Sequence, residues 1–136
     1  MRHILSALVR ATTLATTFLF SFSIFPASAQ DVNKGQQIFK KCRVCHMVGD
    51  NAKNRVGPIL NGIIGRKAAT VEKFKYSPAM KAASNAGLVW TEAALDQYLS
   101  NPRKMVPQTR MTFAGIPQPI DRKNLIAYLK TAAPTK

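Results

Sequence analysis

One pentapeptide constrains this chain more than any other feature: Cys42-Arg43-Val44-Cys45-His46. Residues at i, i+3 and i+4 share one face of a helical turn, so two thiols and an imidazole can meet one edge of a flat ligand together. C-x-x-C-H is the spacing of covalent haem attachment, in which the sulfurs add to two vinyl groups and the histidine is set under the iron with little freedom left to lose. Counting removes the competitors. A redox C-x-x-C needs a βαβ context that this chain lacks. A structural zinc takes four protein ligands, whereas beyond residue 29 the chain offers only Cys42, Cys45 and His46. A disulfide across so short a loop would stabilise little.

The N-terminal stretch reads as separate from the fold. Arg2 and Arg10 give a basic start, residues 11 to 30 carry no charge, and the stretch ends in Pro26-Ala27-Ser28-Ala29. That order describes a secretory signal peptide cut after Ala29. The alternative is a retained membrane anchor, which threonine and serine dilute and which the small-x-small site argues against. The expected organisation is therefore a signal peptide over residues 1–29 and one domain over residues 30–136, in the periplasm. A core of that size is marginal in the area it buries, and an embedded cofactor would enlarge it. The leader takes two of the 20 basic residues and none of the six acidic ones, so the mature chain stays strongly basic. Such a charge favours anionic partners; export removes nucleic acid from among them.

Three segments read as helices. The first spans about Val32 to Lys41 behind Asp31 as N-cap, with Val32, Ile38 and Phe39 on its apolar face and Gly35 on the same side, where a close helix approach is expected. The second follows Thr91, carries Leu95, Tyr98 and Leu99, and stops at Asn101-Pro102. The third starts near Asp121, carries Leu125, Tyr128 and Leu129, and stops before Pro134. A shorter helix is expected from Ser77-Pro78 to about Asn85-Ala86-Gly87. Gly49 to Lys75 and Pro102 to Pro119 read as long irregular stretches, unusual unless they serve a function; wrapping a large flat cofactor would be one. No run reads as a strand. The fold class is all-α.

A second axial ligand must come from elsewhere than histidine. Met47 adjoins His46 and cannot reach the opposite face, which leaves Met80, Met105 and Met111. The residues alone do not choose among them.

Two stretches, Asn101-Pro102-Arg103-Lys104-Met105-Val106-Pro107 and Thr109-Arg110-Met111-Thr112-Phe113-Ala114-Gly115, resemble the ligand loop of mitochondrial-type, class I c-type cytochromes. Val32 to Phe39 resembles that family's N-terminal helix, Gly57-Pro58 its proximal loop and Leu125 to Lys130 its C-terminal helix, so the resemblance covers essentially the whole mature chain. It implies a small class I fold of three main helices, a short one and long loops around one covalent haem c. It implies Cys42 and Cys45 as attachment sites and His46 and Met111 as iron ligands. It also implies that Pro58 accepts a hydrogen bond from His46, that Arg66, Tyr76 and Trp90 lie near the haem propionates, and that Tyr98 and Thr109 lie beside the ligand sulfur. The sequence departs from the mitochondrial pattern: the segment between Tyr76 and Trp90 is longer, Met105 stands where an aromatic is common, and Gln108 replaces a usual glycine. With the leader, these departures imply a secreted bacterial form.

Iron held by both His46 and Met111 has no open position, which implies a one-electron carrier rather than an enzyme, with a potential raised by the thioether. Lys40, Lys41, Arg43, Arg55, Arg103, Lys104 and Arg110 lie close in sequence to these residues. The expected partners are acidic docking surfaces on membrane redox complexes (a quinol-oxidising complex, a terminal oxidase or a reaction centre), reached by electrostatic steering, and the haem attachment machinery during maturation. A monomer is expected.

Overall fold

The computed structural model describes residues 30–132; the signal-peptide reading lies outside the described residues. Five helices follow in order: α1 (Val32–Phe39), α2 (Pro78–Asn85), α3 (Glu92–Ser100), α4 (Pro102–Met105) and α5 (Pro119–Thr131). Among the described residues the β structure amounts to one isolated antiparallel bridge, Lys67 with Val89. The all-α expectation holds.

Local chemistry explains each start. Asp31 Oδ1 accepts from the Lys34 N–H at 3.0 Å, Ser77 Oγ from Met80 N–H at 3.1 Å and Thr91 Oγ1 from Ala94 N–H at 3.1 Å, satisfying donors that have no partner in a first helical turn. Pro78 and Pro119 open α2 and α5, where their missing N–H costs nothing. Helix α5 thus begins two residues before the expected Asp121.

Helix α4 corrects the sequence reading. Asn101-Pro102 ends α3, as expected, but it also starts a new turn: Asn101 Oδ1 accepts from the Lys104 N–H at 3.0 Å and Pro102 takes the first helical position. The same two residues that forbid continuation supply a cap and a preset φ.

Helix α1 packs on α5, and Gly35 makes that possible. A Cβ at Gly35 would lie 2.8 Å from Tyr128 Cβ and would overlap the Asn124 carbonyl, so only glycine admits this approach. Phe39 and Tyr128 rings meet at 5.3 Å. Val32, assigned to the apolar face by periodicity, is instead 41% exposed. The first turn of α1 is tied to α5 by a polar contact, the Asp31 N–H donating to Asn124 Oδ1 at 2.8 Å, and the apolar contact begins one turn later. The core joins Phe39 to Leu95, Tyr98, Leu99, Leu125, Ile126 and Leu129, so three helices separated in sequence form the frame on which the loops hang.

Candidate haem site

Helical hydrogen bonding runs on past α1. Cys42 N–H and Arg43 N–H donate to Phe39 O at 2.8 and 2.9 Å, and Cys45 N–H and His46 N–H donate to Cys42 O at 3.0 and 2.9 Å. The turn therefore brings Cys42, Cys45 and His46 to one face, as the spacing demanded. No disulfide joins Cys42 to Cys45. Burial is the main cause that pushes the Cys42 thiol up to about 11.

His46 is oriented from behind. Its Nδ1 donates to Pro58 O at 2.7 Å, which assigns the proton to Nδ1 and leaves the Nε2 lone pair free to bind a metal. Burial lowers the histidine pKa, against a smaller opposing effect of the Pro58 bond; the net lowering favours the uncharged ring, the form that coordinates. The ring lies flat on Gly57, where a Cβ would come within 2.6 Å of Nδ1. Gly57 N–H in turn donates to Cys45 O at 2.9 Å, locking the histidine loop to the cysteine turn.

The long stretch from Gly49 onward is held by amides that sequence reading did not single out. Asn61 bonds both ways to Gly49, its Oδ1 accepting from the N–H at 3.1 Å and its Nδ2 donating to the carbonyl at 3.0 Å. Asn54 Oδ1 accepts from Ile59 N–H at 3.1 Å while its Nδ2 donates to Glu72 O at 2.9 Å. Asparagine in a loop is the available signal: it can replace the backbone partners that irregular chain lacks.

Arg66 donates to Asn61 O at 2.7 Å and to Ile59 O at 3.0 Å. Burial lowers its pKa, partly offset by Tyr76. Among the described residues it has no carboxylate partner. A half-buried guanidinium with several of its N–H groups uncommitted fits a negatively charged oxygen supplied by a ligand. Trp90 is set next to it by the antiparallel pair of bonds Trp90 N–H to Arg66 O at 2.9 Å and Gly65 N–H to Trp90 O at 3.0 Å.

On the other long loop, Met111 Sδ accepts from the Tyr98 hydroxyl at 3.4 Å. That hydroxyl lies 3.3 Å from Thr109 Oγ1, which also accepts from the Met111 N–H at 3.3 Å. Tyr98 is itself fixed, 6% exposed and tilted against Trp90 with centroids 4.9 Å apart. Before this cluster, Val106-Pro107-Gln108-Thr109 closes with Thr109 N–H donating to Val106 O at 3.1 Å, and Gln108 has φ +61°. Proline second and a positive φ third describe a type II turn, whose third position favours glycine. The departure noted at Gln108 is thus a residue holding a glycine conformation.

These residues fit a covalent haem. Two thiols and a neutral imidazole share one turn, a half-buried arginine lacks an acid, and the apolar side chains of Leu60, Ile64, Met111 and Phe113 pack on the core with only part of their surface covered. Fold and site together define an all-α haem-attachment domain. Residues 32–133 match the family described as Cytochrome c. Cytochrome c2 of Blastochloris viridis is 46% identical over 113 residues, 83% of this chain and 87% of that protein. Cytochrome c-550 of Ancylobacter novellus is 52% identical over 98 residues, 72% of this chain and 92% of that protein. A solved structure of cytochrome c2 from Rhodospirillum centenum matches with a TM-score of 0.70 at 42% identity, covering 76% of this chain and 99% of that one. The chain belongs to the cytochrome c family. It carries one haem c bound covalently through Cys42 and Cys45, and it is an electron carrier, not an enzyme.

Proposed function

We propose that this protein is a soluble, periplasmic one-electron shuttle whose haem iron is held between His46 Nε2 and Met111 Sδ. The observation that carries the distal choice is the hydroxyl bond to sulfur. Of the three candidate thioethers, Met111 is the one with a Tyr98 donor at 3.4 Å; Met80 is buried at 8% exposure in the core beside α2, and Met105 belongs to α4.

The bound haem supplies reversible exchange of a single electron at iron. The chain's own residues set the conditions. Pro58 fixes the tautomer and alignment of the His46 ring, and burial favours its uncharged form. Tyr98 draws electron density from the Met111 sulfur by hydrogen bonding, which favours the reduced state beyond what a thioether alone gives. With His46 and Met111 both committed to the iron, no position would remain for substrate, and the apolar side chains of Leu60, Ile64 and Phe113 would line the haem.

The seven basic residues named above are all exposed. They support docking on acidic faces of a quinol-oxidising complex, a terminal oxidase or a reaction centre, because opposite charge raises encounter rates. The leader supports export, cleavage after Ala29 and maturation by the haem attachment machinery. Among the described residues no helix is long and apolar enough to cross a membrane.

Met111→Ala tests the reading. We expect loss of the iron–sulfur charge-transfer band and a lower potential, with haem still covalently attached. Loss of the band in Met80→Ala or Met105→Ala, but not in Met111→Ala, would overturn the ligand assignment.

A further inference from the structure

We propose that Arg122, clamped to Asp96, is a positioning residue for Met111: it closes the far end of the ligand loop and so sets how readily the thioether leaves the iron. The inference rests on the Met111 ligation proposed above.

Arg122 is the most extensively bonded basic side chain in the described structure. It is buried at 9% exposure. Its Nε donates to Asp96 Oδ1 at 2.8 Å and its Nη2 to Asp96 Oδ2 at 3.2 Å, a bidentate pair between α5 and α3. Its Nη1 donates to two consecutive carbonyls, Ile116 O and Pro117 O, each at 2.9 Å. The same guanidinium therefore reads helix α3 with one edge and the end of the Met111 loop with the other.

The loop has little else to hold it there. Among the described residues no backbone N–H from Thr112 to Gly115 donates to a backbone carbonyl, and the chain rejoins the frame through one such bond, Ile116 N–H to Leu99 O at 2.8 Å. Gly115, at φ +112°, lets the loop come down onto α3, since a Cβ there would lie 2.9 Å from the Ser100 carbonyl carbon. Pro117 has no N–H to offer. Without Arg122 the Ile116 and Pro117 carbonyls would lose this donor, and leaving the buried one, Ile116 O, unpaired is costly.

Three anchors for Met111 thus converge on α3. Tyr98 holds the sulfur, Leu99 O receives the loop's return, and Asp96 orients the arginine that fastens that return. Asp96, although 39% exposed in its side chain, matters because it fixes the planar fork. A lysine, whose donors sit on one nitrogen, could not reproduce the bidentate carboxylate pair together with both carbonyl bonds. Loosening this end gives the loop an alternative position in which the sulfur is away from the metal, and the population of that open form governs access of an external ligand.

The test is imidazole binding to the oxidised holoprotein at neutral pH, read by loss of the iron–sulfur band. Apparent affinity scales with the open fraction. Asp96→Asn and Arg122→Lys should each bind imidazole about tenfold more tightly than the unmodified protein. Glu92→Gln is the comparison: it breaks the exposed Lys130–Glu92 pair at 2.6 Å, which also joins α5 to α3, and should leave imidazole affinity unchanged. Unchanged affinity in both clamp variants, whatever their denaturant midpoints, would show Arg122 to be structural only and overturn the proposal. So would an equal rise in Glu92→Gln, which would reduce the effect to general loosening of the helix pair. Failure of the ligand assignment looks different: Met111→Ala would then leave the band in place.

Discussion

The proximal turn and the distal loop hold their candidate ligands by different means. His46 is fixed by main chain: its Nδ1 meets a backbone carbonyl at 2.7 Å, its ring lies on a residue with no side chain, and its own N–H closes a helical turn. Met111 is fixed by side chains, the hydroxyls of Tyr98 and Thr109 at 3.3 to 3.4 Å, and by a turn that places Gln108 in a glycine conformation. Backbone and covalent attachment give a side that cannot shift. Longer bonds to side chains give one that can be retuned by single substitutions. A carrier needs both: a constant anchor and an adjustable ligand field.

Gly57→Ala should break the comparison most severely. A methyl 2.6 Å from His46 Nδ1 cannot be absorbed by a ring pinned on one side by Pro58 and on the other by the attached haem. We expect destabilisation of about 3 kcal/mol or more, in the range of severe overpacking, together with poor recovery of holoprotein. Denaturant unfolding followed by haem absorbance measures it; a variant of ordinary stability would mean that the proximal side yields after all.

Charge offers a second contrast, because exposed basic residues lie on both sides. Lys104→Gln with Arg110→Gln neutralises the distal set, and Arg43→Gln with Arg55→Gln the proximal one. If docking is centred on the haem edge, each pair should slow electron transfer to an acidic partner by about tenfold at low ionic strength, converging with the unmodified rate at high salt. Stopped-flow rates across salt concentration decide this. An effect confined to one pair would place the docking surface on that side alone.

The asymmetry also governs what the sequence discloses. Cys42, Cys45 and His46 are legible because spacing alone puts i, i+3 and i+4 on one face. Gly35 is legible as a close approach because a mid-helix glycine demands a reason. Met111 is not: three methionines were open, and only resemblance to a family favoured one. What singles it out physically is a hydroxyl 13 residues earlier, a contact that no local pattern encodes. Arg122 is less legible still, since its partner Asp96 is 26 residues away and both look like surface charges. Helix α4 escaped because Asn101-Pro102 reads equally well as a stop and as a start.

Tyr98→Phe should produce a smaller effect on the distal side. It removes the donor to Met111 Sδ and the partner of Thr109 while keeping the ring packed on Trp90. A net cost of about 1 kcal/mol is expected. The reduction potential should fall, because a sulfur without a hydrogen-bond donor returns electron density to the iron and favours the oxidised state. Potentiometric titration gives the sign. A potential unchanged by this substitution would mean that Tyr98 serves packing and not the ligand.

Gln108→Gly is expected to act least, and in the opposite direction. Gln108 occupies φ +61° at the third position of a turn bonded from Thr109 to Val106, where an L side chain costs about 1–2 kcal/mol. Glycine relieves that strain but makes the unfolded chain more flexible, which offsets about 0.4–1 kcal/mol of the gain. The balance is a stabilisation of roughly 0.5–1 kcal/mol, measurable as a raised denaturant midpoint. The strained glutamine stands three residues before Met111, on the side of the molecule held by side chains. Relief there should also tighten retention of the thioether, so imidazole affinity should drop as stability rises. A rise in stability without that drop would separate the turn from the ligand and leave Tyr98 and Thr109 as the residues that hold it.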